Sequence, residues 1–212
     1  MSNYFITGTD TGCGKTTVTA ALARDLVARG RSVACFKPVA SGCEATSEGL
    51  RNDDALKLQA AAGIRLDYDQ INPVALEPAI APHIAAERAG VIIDIPRLAR
   101  SIQAIPAEIR LIEGAGGWLV PLGPESMTAD LARAVESRVI LVVGVRLGCI
   151  NHALLSARAI RADGLPLHGW IANILDPSMP ALDENLETLE RLLGPSLARY
   201  ESMQGLSAQP AF

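Results

Sequence analysis

Gly8-Thr9-Asp10-Thr11-Gly12-Cys13-Gly14-Lys15-Thr16-Thr17 is the stretch from which the rest of this chain is read. The apolar run Tyr4-Phe5-Ile6 precedes it, and a helical pattern from Val18 to Ala28 follows. Strand, glycine-rich loop and helix, in that order, are what a phosphate-binding loop requires. Gly12 and Gly14 let the backbone approach a ligand closely and turn its N–H groups inward. The helix that opens near Lys15 points its positive end at the same place. Lys15 can reach terminal phosphates, and the Thr16 hydroxyl can ligate Mg²⁺. Gly8 stands one residue too early for the general spacing, and Thr9 occupies the place of the first glycine. The competing reading, a glycine-rich turn beside an ordinary helix, is disfavoured by the flanking strand and helix.

The 212 residues suit a single α/β domain, 1–212, with a well-buried core. Hydrophobic residues make up 49% and aromatics only 4%, as expected for helices packed on a parallel sheet. A net charge of −4 gives no broad basic surface for nucleic acid. No basic segment followed by an apolar stretch opens the chain, so no secretory signal is expected. The run Val139–Val145 is too short to span a bilayer, so no membrane contact is expected. Cys13, Cys35, Cys43 and Cys149 are scattered, which points to reduced thiols in a cytoplasmic protein.

Strands and helices alternate along the chain without a repeat or a clear linker. Strands are expected at Tyr4–Thr7, Ser32–Lys37, Arg110–Glu113, Arg138–Val145 and Leu167–Asn173. Helices are expected at Lys15–Arg29, from Asn52-Asp53 to about Ala62, from Pro82, at Arg97–Gln103, Thr128–Val135, Asn151–Ala162 and Pro180–Leu193. Residues 38–52 read as a long polar loop, and loops of that length are usually functional or disordered. Residues 64–81 read as a second loop, and 199–212 as a loosely held tail. The class is a doubly wound, mainly parallel sheet flanked by helices, like a P-loop NTPase. Ligands in such sheets bind at the carboxyl ends of the strands. That rule gathers the loop after Thr7, Lys37, Glu113 and Asn173.

Mg²⁺ takes oxygen ligands and keeps several waters, so Thr16, Glu113 and one more carboxylate would suffice. Asp54 is the candidate, with Asp53 equally placed by pattern. Lys37 is either a strand-end lysine or a second cation over the phosphates, where it would stabilise equatorial oxygen charge during phosphoryl transfer. Asn173 can pair with a purine edge or form an Asx turn before Pro177. His83, His152 and His168 show no metal spacing. Trp118 and Trp170 read as packing residues.

Together these pieces resemble the dethiobiotin synthetase family. The resemblance rests on residues 8–16, on Lys37-Pro38-Val39-Ala40-Ser41-Gly42, and on Gly49-Leu50-Arg51-Asn52-Asp53-Asp54-Ala55-Leu56. It continues with Pro82-His83-Ile84, Glu113-Gly114-Ala115-Gly116-Gly117-Trp118, and the run from Val142 to His152. The early glycine is this family's own form. The resemblance implies ATP as co-substrate, Mg²⁺, and ring closure of 7,8-diaminononanoate with CO₂. It implies Lys37 and Lys15 as charge stabilisers, and Thr11 and Ser41 as contacts to the carbamate or diamine. Thr16, Asp54 and Glu113 would hold the metal. Gly12, Cys13, Gly14, Lys15, Thr16 and Thr17, with Glu113, Gly114, Ala115 and Gly116, would line the nucleotide, and Asn173 would read adenine. It also implies a homodimer, in which Leu147, Gly148, Cys149, Ile150 and Asn151 receive the substrate's tail carboxylate from the partner subunit.

Two departures stand out. Gly12-Cys13 replaces the family's frequent Glu-Val. The segment after Gly194 lacks the family's usual Gly-x-Ile-Pro, so looser nucleotide discrimination is expected. The alternative class is a nucleotide switch or partitioning ATPase acting on a protein partner, but Lys37 and the polar loop after it favour a small acidic substrate.

Overall fold

A computed structural model describes residues 1–201 and 205–207. The chain opens with β1 (Ser2–Gly8), α1 (Lys15–Ala28), β2 (Val33–Phe36), β3 (Val39–Ser41), β4 (Glu44–Thr46) and β5 (Gly49–Arg51). It continues with α2 (Asp53–Ala61), α3 (Tyr68–Ile71), β6 (Val74–Leu76), α4 (Pro82–Ala89), α5 (Ile95–Ala104) and β7 (Ile109–Glu113). Then come α6 (Thr128–Ala134), β8 (Arg138–Val145), α7 (Cys149–Ala162), β9 (Leu167–Ile174), α8 (Leu182–Leu193), β10 (Ala198–Glu201) and β11 (Gly205–Leu206).

The main sheet has the order β11-β10-β9-β8-β1-β7-β2. Its pairings are parallel, except that β11 runs antiparallel to β10. Alternation along the strands splits the core into two faces. Tyr4 and Ile6 join Val18, Leu22 and Leu26 of α1 on one face. Phe5, Val139, Leu141 and Val143 meet α5, α6, α7 and α8 on the other. β8 is buried from Val139 to Val145 and stands fourth of seven, as its unbroken apolar run implies. This is the doubly wound parallel class expected from the sequence.

β1 sits between β8, which follows later in the chain, and β7, with β2 beyond it. The carboxyl ends of β1, β2 and β7 therefore open onto one crevice, where a ligand site belongs in such a sheet. Two small sheets follow β2: β3 pairs parallel with β6 and brings Ala40 and Ser41 to the wall of that crevice, and β4 pairs with β5 in a hairpin.

Several expectations need correction. The supposed loop 38–52 holds β3 and the β4–β5 hairpin. Thr46 Oγ1 donates to Gly49 O at 2.7 Å and closes the hairpin turn. The supposed loop 64–81 holds α3 and β6. Within the segment read as a loose tail, β10 extends the sheet beside β9 and carries β11. The remainder of that reading, 202–204 and 208–212, falls outside the described residues. Among the described residues no helix is long and apolar enough to cross a membrane. Trp118 and Trp170 are core residues whose indole N–H groups donate to Asp163 Oδ2 and Gly194 O.

Candidate functional site

Ser32-to-Phe36 packing delivers Lys37 to the crevice directly after β2, and β7 delivers Glu113 as its last residue. Asn52 caps α2, its side chain accepting from the Ala55 N–H at 3.2 Å, so that Asp54 stands in the first turn. α1 begins at Lys15 with Thr16 beside it. These four pieces meet. Thr16 Oγ1 donates to Glu113 Oε1 at 2.8 Å, and Lys37 Nζ donates to the same oxygen at 2.6 Å. Asp54 Oδ2 is 3.4 Å from Lys37 Nζ. Glu113 is fully buried, and its Oε2 has no hydrogen-bond partner.

Burial is the largest influence on Lys37 and disfavours its charge. The carboxylates of Glu113 and Asp54 together outweigh it and raise the pKa above the ordinary lysine value. Lys37 is thus a buried ammonium held charged by its neighbours. Lys15 goes the other way: burial lowers its pKa, and the like charge of Lys37 adds to the effect. Its ammonium rests on the Asp10 carbonyl at 3.0 Å. Arg146 pairs with the Asp10 carboxylate on the outer side of the loop.

A cavity of about 780 Å³ covers this cluster. Of the residues expected at the site, Thr11, Gly12, Gly14, Lys15, Thr16, Thr17, Lys37, Ser41, Asp54, Glu113, Ala115 and Gly116 line it. Ser41 Oγ is buried there without a hydrogen-bond partner, a polar group left over for a ligand. The geometry also separates the two aspartates. Asp53 faces solvent and pairs with Lys57, whereas Asp54 faces the cavity.

Other expected residues lie elsewhere. Cys13 does not line the cavity: its side chain is fully buried in the core beneath the loop, with Sγ 4.0 Å from Lys15 Nζ. Gly114 is a packing glycine, since a Cβ there would stand 2.9 Å from Phe5 Cε1; its carbonyl accepts from Lys37 at 3.4 Å. Asn173 is buried outside the cavity and its Nδ2 donates to Cys13 O at 2.8 Å, so the amide braces the loop. A Cβ on Gly14, which has φ 88°, would fall 2.0 Å from that Nδ2, so the brace and the left-handed turn both require glycine. Leu147 to Asn151 stand apart from this cavity; Leu147 is exposed and the Cys149 side chain is in the core. Among the described residues no three His, Cys, Asp or Glu side chains cluster as a metal site.

The sequence reading missed the far wall. Ala79, Ile80, Ala81 and Pro82 close one side, and Leu119, Val120 and Pro121 another. Pro82 belongs to the Pro82-His83-Ile84 motif, but that motif gave it no role at the site, and the other wall residues carry no charge or hydrogen-bonding side chain that would mark them.

The family profile described as an AAA domain matches residues 2–206. The ATP-dependent dethiobiotin synthetase BioD of Pseudomonas paraeruginosa is 56% identical over 203 residues, covering 94% of this chain and 89% of that protein. The chain belongs to the dethiobiotin synthetase family. It is an enzyme, a ligase. The relative from Cellvibrio japonicus, also named ATP-dependent dethiobiotin synthetase BioD, is 51% identical over 98% of this chain and 92% of its own length. Among solved structures, the septum site-determining protein MinD with Mg-ADP from Pyrococcus horikoshii matches with a TM-score of 0.57 at 20% identity, over 93% of this chain and 80% of that one. The FtsY protein of Thermotoga maritima matches with a TM-score of 0.56 at 17% identity, over 100% and 65%. These two likenesses concern the fold, which is that of P-loop NTPases.

Proposed function

We propose that this ligase uses ATP, Mg²⁺ and CO₂ to close 7,8-diaminononanoate into dethiobiotin, releasing ADP and phosphate in biotin biosynthesis. The observation that carries the reading is the meeting of Lys15, Lys37, Thr16, Asp54 and Glu113 around one cavity behind a phosphate loop. One substrate amine captures CO₂ as a carbamate. The carbamate oxygen attacks the γ-phosphorus of ATP, and ADP leaves. The neighbouring amine then attacks the carbamoyl carbon, phosphate departs, and the urea ring closes.

Lys37, kept charged by Glu113 and Asp54, would face the carbamate and the transferring phosphoryl group. Lys15 would leave the Asp10 carbonyl for the phosphates, which offer a full negative charge in place of a dipole. Thr11 and the unpartnered Ser41 hydroxyl would hold the carbamate or diamine. The residues fit Mg²⁺: Glu113 Oε2 is a buried oxygen in need of a partner, and Thr16 spends its proton on Glu113, which leaves the Oγ1 lone pairs free. Thr16, Asp54 and Glu113 would hold the ion, which would supply positive charge to neutralise the phosphates during transfer. Because the Asn173 nitrogen is spent on Cys13, its oxygen remains for a base. That oxygen would accept from the 6-amino group of adenine, a single contact that discriminates weakly without the family's Gly-x-Ile-Pro segment beside it.

A homodimer accounts for Leu147 to Asn151. The first turn of α7 has no side-chain cap, and although the Cys149 N–H donates to Arg146 O at 3.0 Å, the N–H groups that follow it would receive the tail carboxylate of a substrate bound in the partner subunit. The whole reading is tested by supplying ATP, Mg²⁺, bicarbonate and the diamine. Phosphate release that requires the diamine, with dethiobiotin formed in equal amount, supports it. Release that is indifferent to the diamine, without dethiobiotin, refutes it.

A further inference from the structure

Lys37 follows β2 and Asp54 lies in α2, so the short distance between their side chains depends on how two separate backbones are held. α3 lies between them. Asn72, just after α3, donates through Nδ2 to the Lys37 carbonyl at 2.6 Å. The Tyr68 hydroxyl donates to Asn72 Oδ1 at 3.0 Å and accepts from the Asn52 N–H at 2.7 Å. Asn52 is the cap that starts α2 two residues before Asp54. Three hydrogen bonds thus run unbroken from the carbonyl of Lys37 to the first turn that presents Asp54. The Lys37 N–H adds a fourth, donating to Ile71 O at 2.9 Å. Tyr68, Asn72 and Asn52 are all buried. Each polar atom in the run has its partner, so the hydrogens have one arrangement, and a satisfied buried network of this kind is stiff. The Arg51 guanidinium lies 4.2 Å over the Tyr68 ring and fixes the ring from the hairpin side.

None of Tyr68, Asn72 or Arg51 lies where reacting atoms would sit. A purely structural network could end anywhere in the core; this one ends on the two backbones that carry charged site residues. We propose that Tyr68 and Asn72 are positioning residues that hold Lys37 and Asp54 in register with each other. The proposal rests on the roles given above to those two side chains. Misplacing a reacting group by about 1 Å can cost about a hundredfold in rate. Tyr68→Phe keeps the ring and its cation contact and removes only the hydroxyl, so it frees the two backbones with little change in packing.

The test is a double-mutant cycle on the full-length enzyme with kcat, KM and thermal unfolding measured throughout. Tyr68→Phe is expected to lower kcat by about tenfold and leave KM for the diamine within about twofold, while the protein stays folded. On the Asp54→Asn background the same change is expected to cost less than about twofold, because the partner it positions has gone. Asn72→Asp, which removes the donor to the Lys37 carbonyl, serves as the second variant and should behave in the same way. An equal loss in both backgrounds, or wild-type kcat in folded Tyr68→Phe, overturns the proposal. Failure of both variants to fold overturns it as well, since the network is then structural. The role of Asp54 is read separately: wild-type turnover in Asp54→Asn by itself would remove that role without reference to Tyr68.

Discussion

Replacing Lys37 by Met should destabilise the free protein as well as silence it, and replacing Glu113 by Gln in the same molecule should restore most of the stability. The Lys37 and Glu113 side chains are 7% and 0% exposed, and the pair is 2.6 Å apart. Removing the ammonium leaves a carboxylate with Thr16 on one oxygen and nothing on the other, in a place water does not reach. Breaking a buried pair from one side typically costs about 3–5 kcal/mol, whereas replacing both partners by neutral groups is often close to neutral. For a chain of this size each kcal/mol moves Tm by about 2–4 °C, so Lys37→Met should melt roughly 6–20 °C below wild type. The doubly substituted protein should recover most of that interval. Thermal unfolding at neutral pH without nucleotide measures both. Turnover should be lost in both by at least about a hundredfold, because the charge stabiliser is absent in each. If Lys37→Met melts with wild type, or the second substitution restores nothing, the argument that Glu113 is a buried charge dependent on Lys37 is wrong.

Three further outcomes follow from the same geometry. Lys37 is bound more tightly to its proton in the folded state, so its share of stability is present below the ordinary value of 10.5 and is lost as pH rises through the higher folded pKa; the gap in Tm between wild type and Lys37→Met should persist to that pH and narrow only in stronger alkali. Lys15 has the opposite sign, since burial penalises its charge in the empty loop, so Lys15→Met should raise Tm while abolishing turnover, and a lower Tm would contradict the account. The four cysteines are all buried, and burial pushes the Cys35 thiol up to about 12, so a thiol reagent should label none of them in the native enzyme and all four after unfolding.

The sheet was legible because its strands are buried on both faces. Ile140 to Val145 and the end of β7 at Glu113 announce themselves as short apolar runs, and the glycines and Lys15-Thr16 mark the loop between β1 and α1. The hairpin β4–β5 was hidden because Glu44 to Thr46 are exposed on both sides, which erases the alternation that betrays a strand. β6 was hidden because its three residues, Val74–Leu76, are too few to show a period. β10 buries only Ala198 well, so its polar letters read as tail although the backbone pairs with β9. At the candidate site, charge and motif pointed to Lys15, Thr16, Lys37 and Glu113, whereas pattern alone left Asp53 and Asp54 level and the family resemblance chose Asp54. The sequence also placed Asn173 at the correct strand end, but only packing shows that its nitrogen lies under Gly14. Tyr68 and Asn72 carried no signal, because their importance lies in which backbone atoms they touch.

In the proposed reading, discrimination between nucleotides would rest on Asn173 and on the chain after β10. Competition by other triphosphates against ATP should therefore be measurable, and a strong exclusive preference for ATP would contradict the expectation drawn from the missing Gly-x-Ile-Pro segment.

The most direct measurement is a crystal structure with Mg²⁺, the diamine and a non-hydrolysable ATP analogue. The account predicts that Lys15 has left the Asp10 carbonyl, and that both ammonium groups lie within hydrogen-bond reach of the terminal phosphate or the diamine's carbamate. An analogue bound with its terminal phosphate far from Lys37, and Lys37 still closed on Glu113, would contradict it.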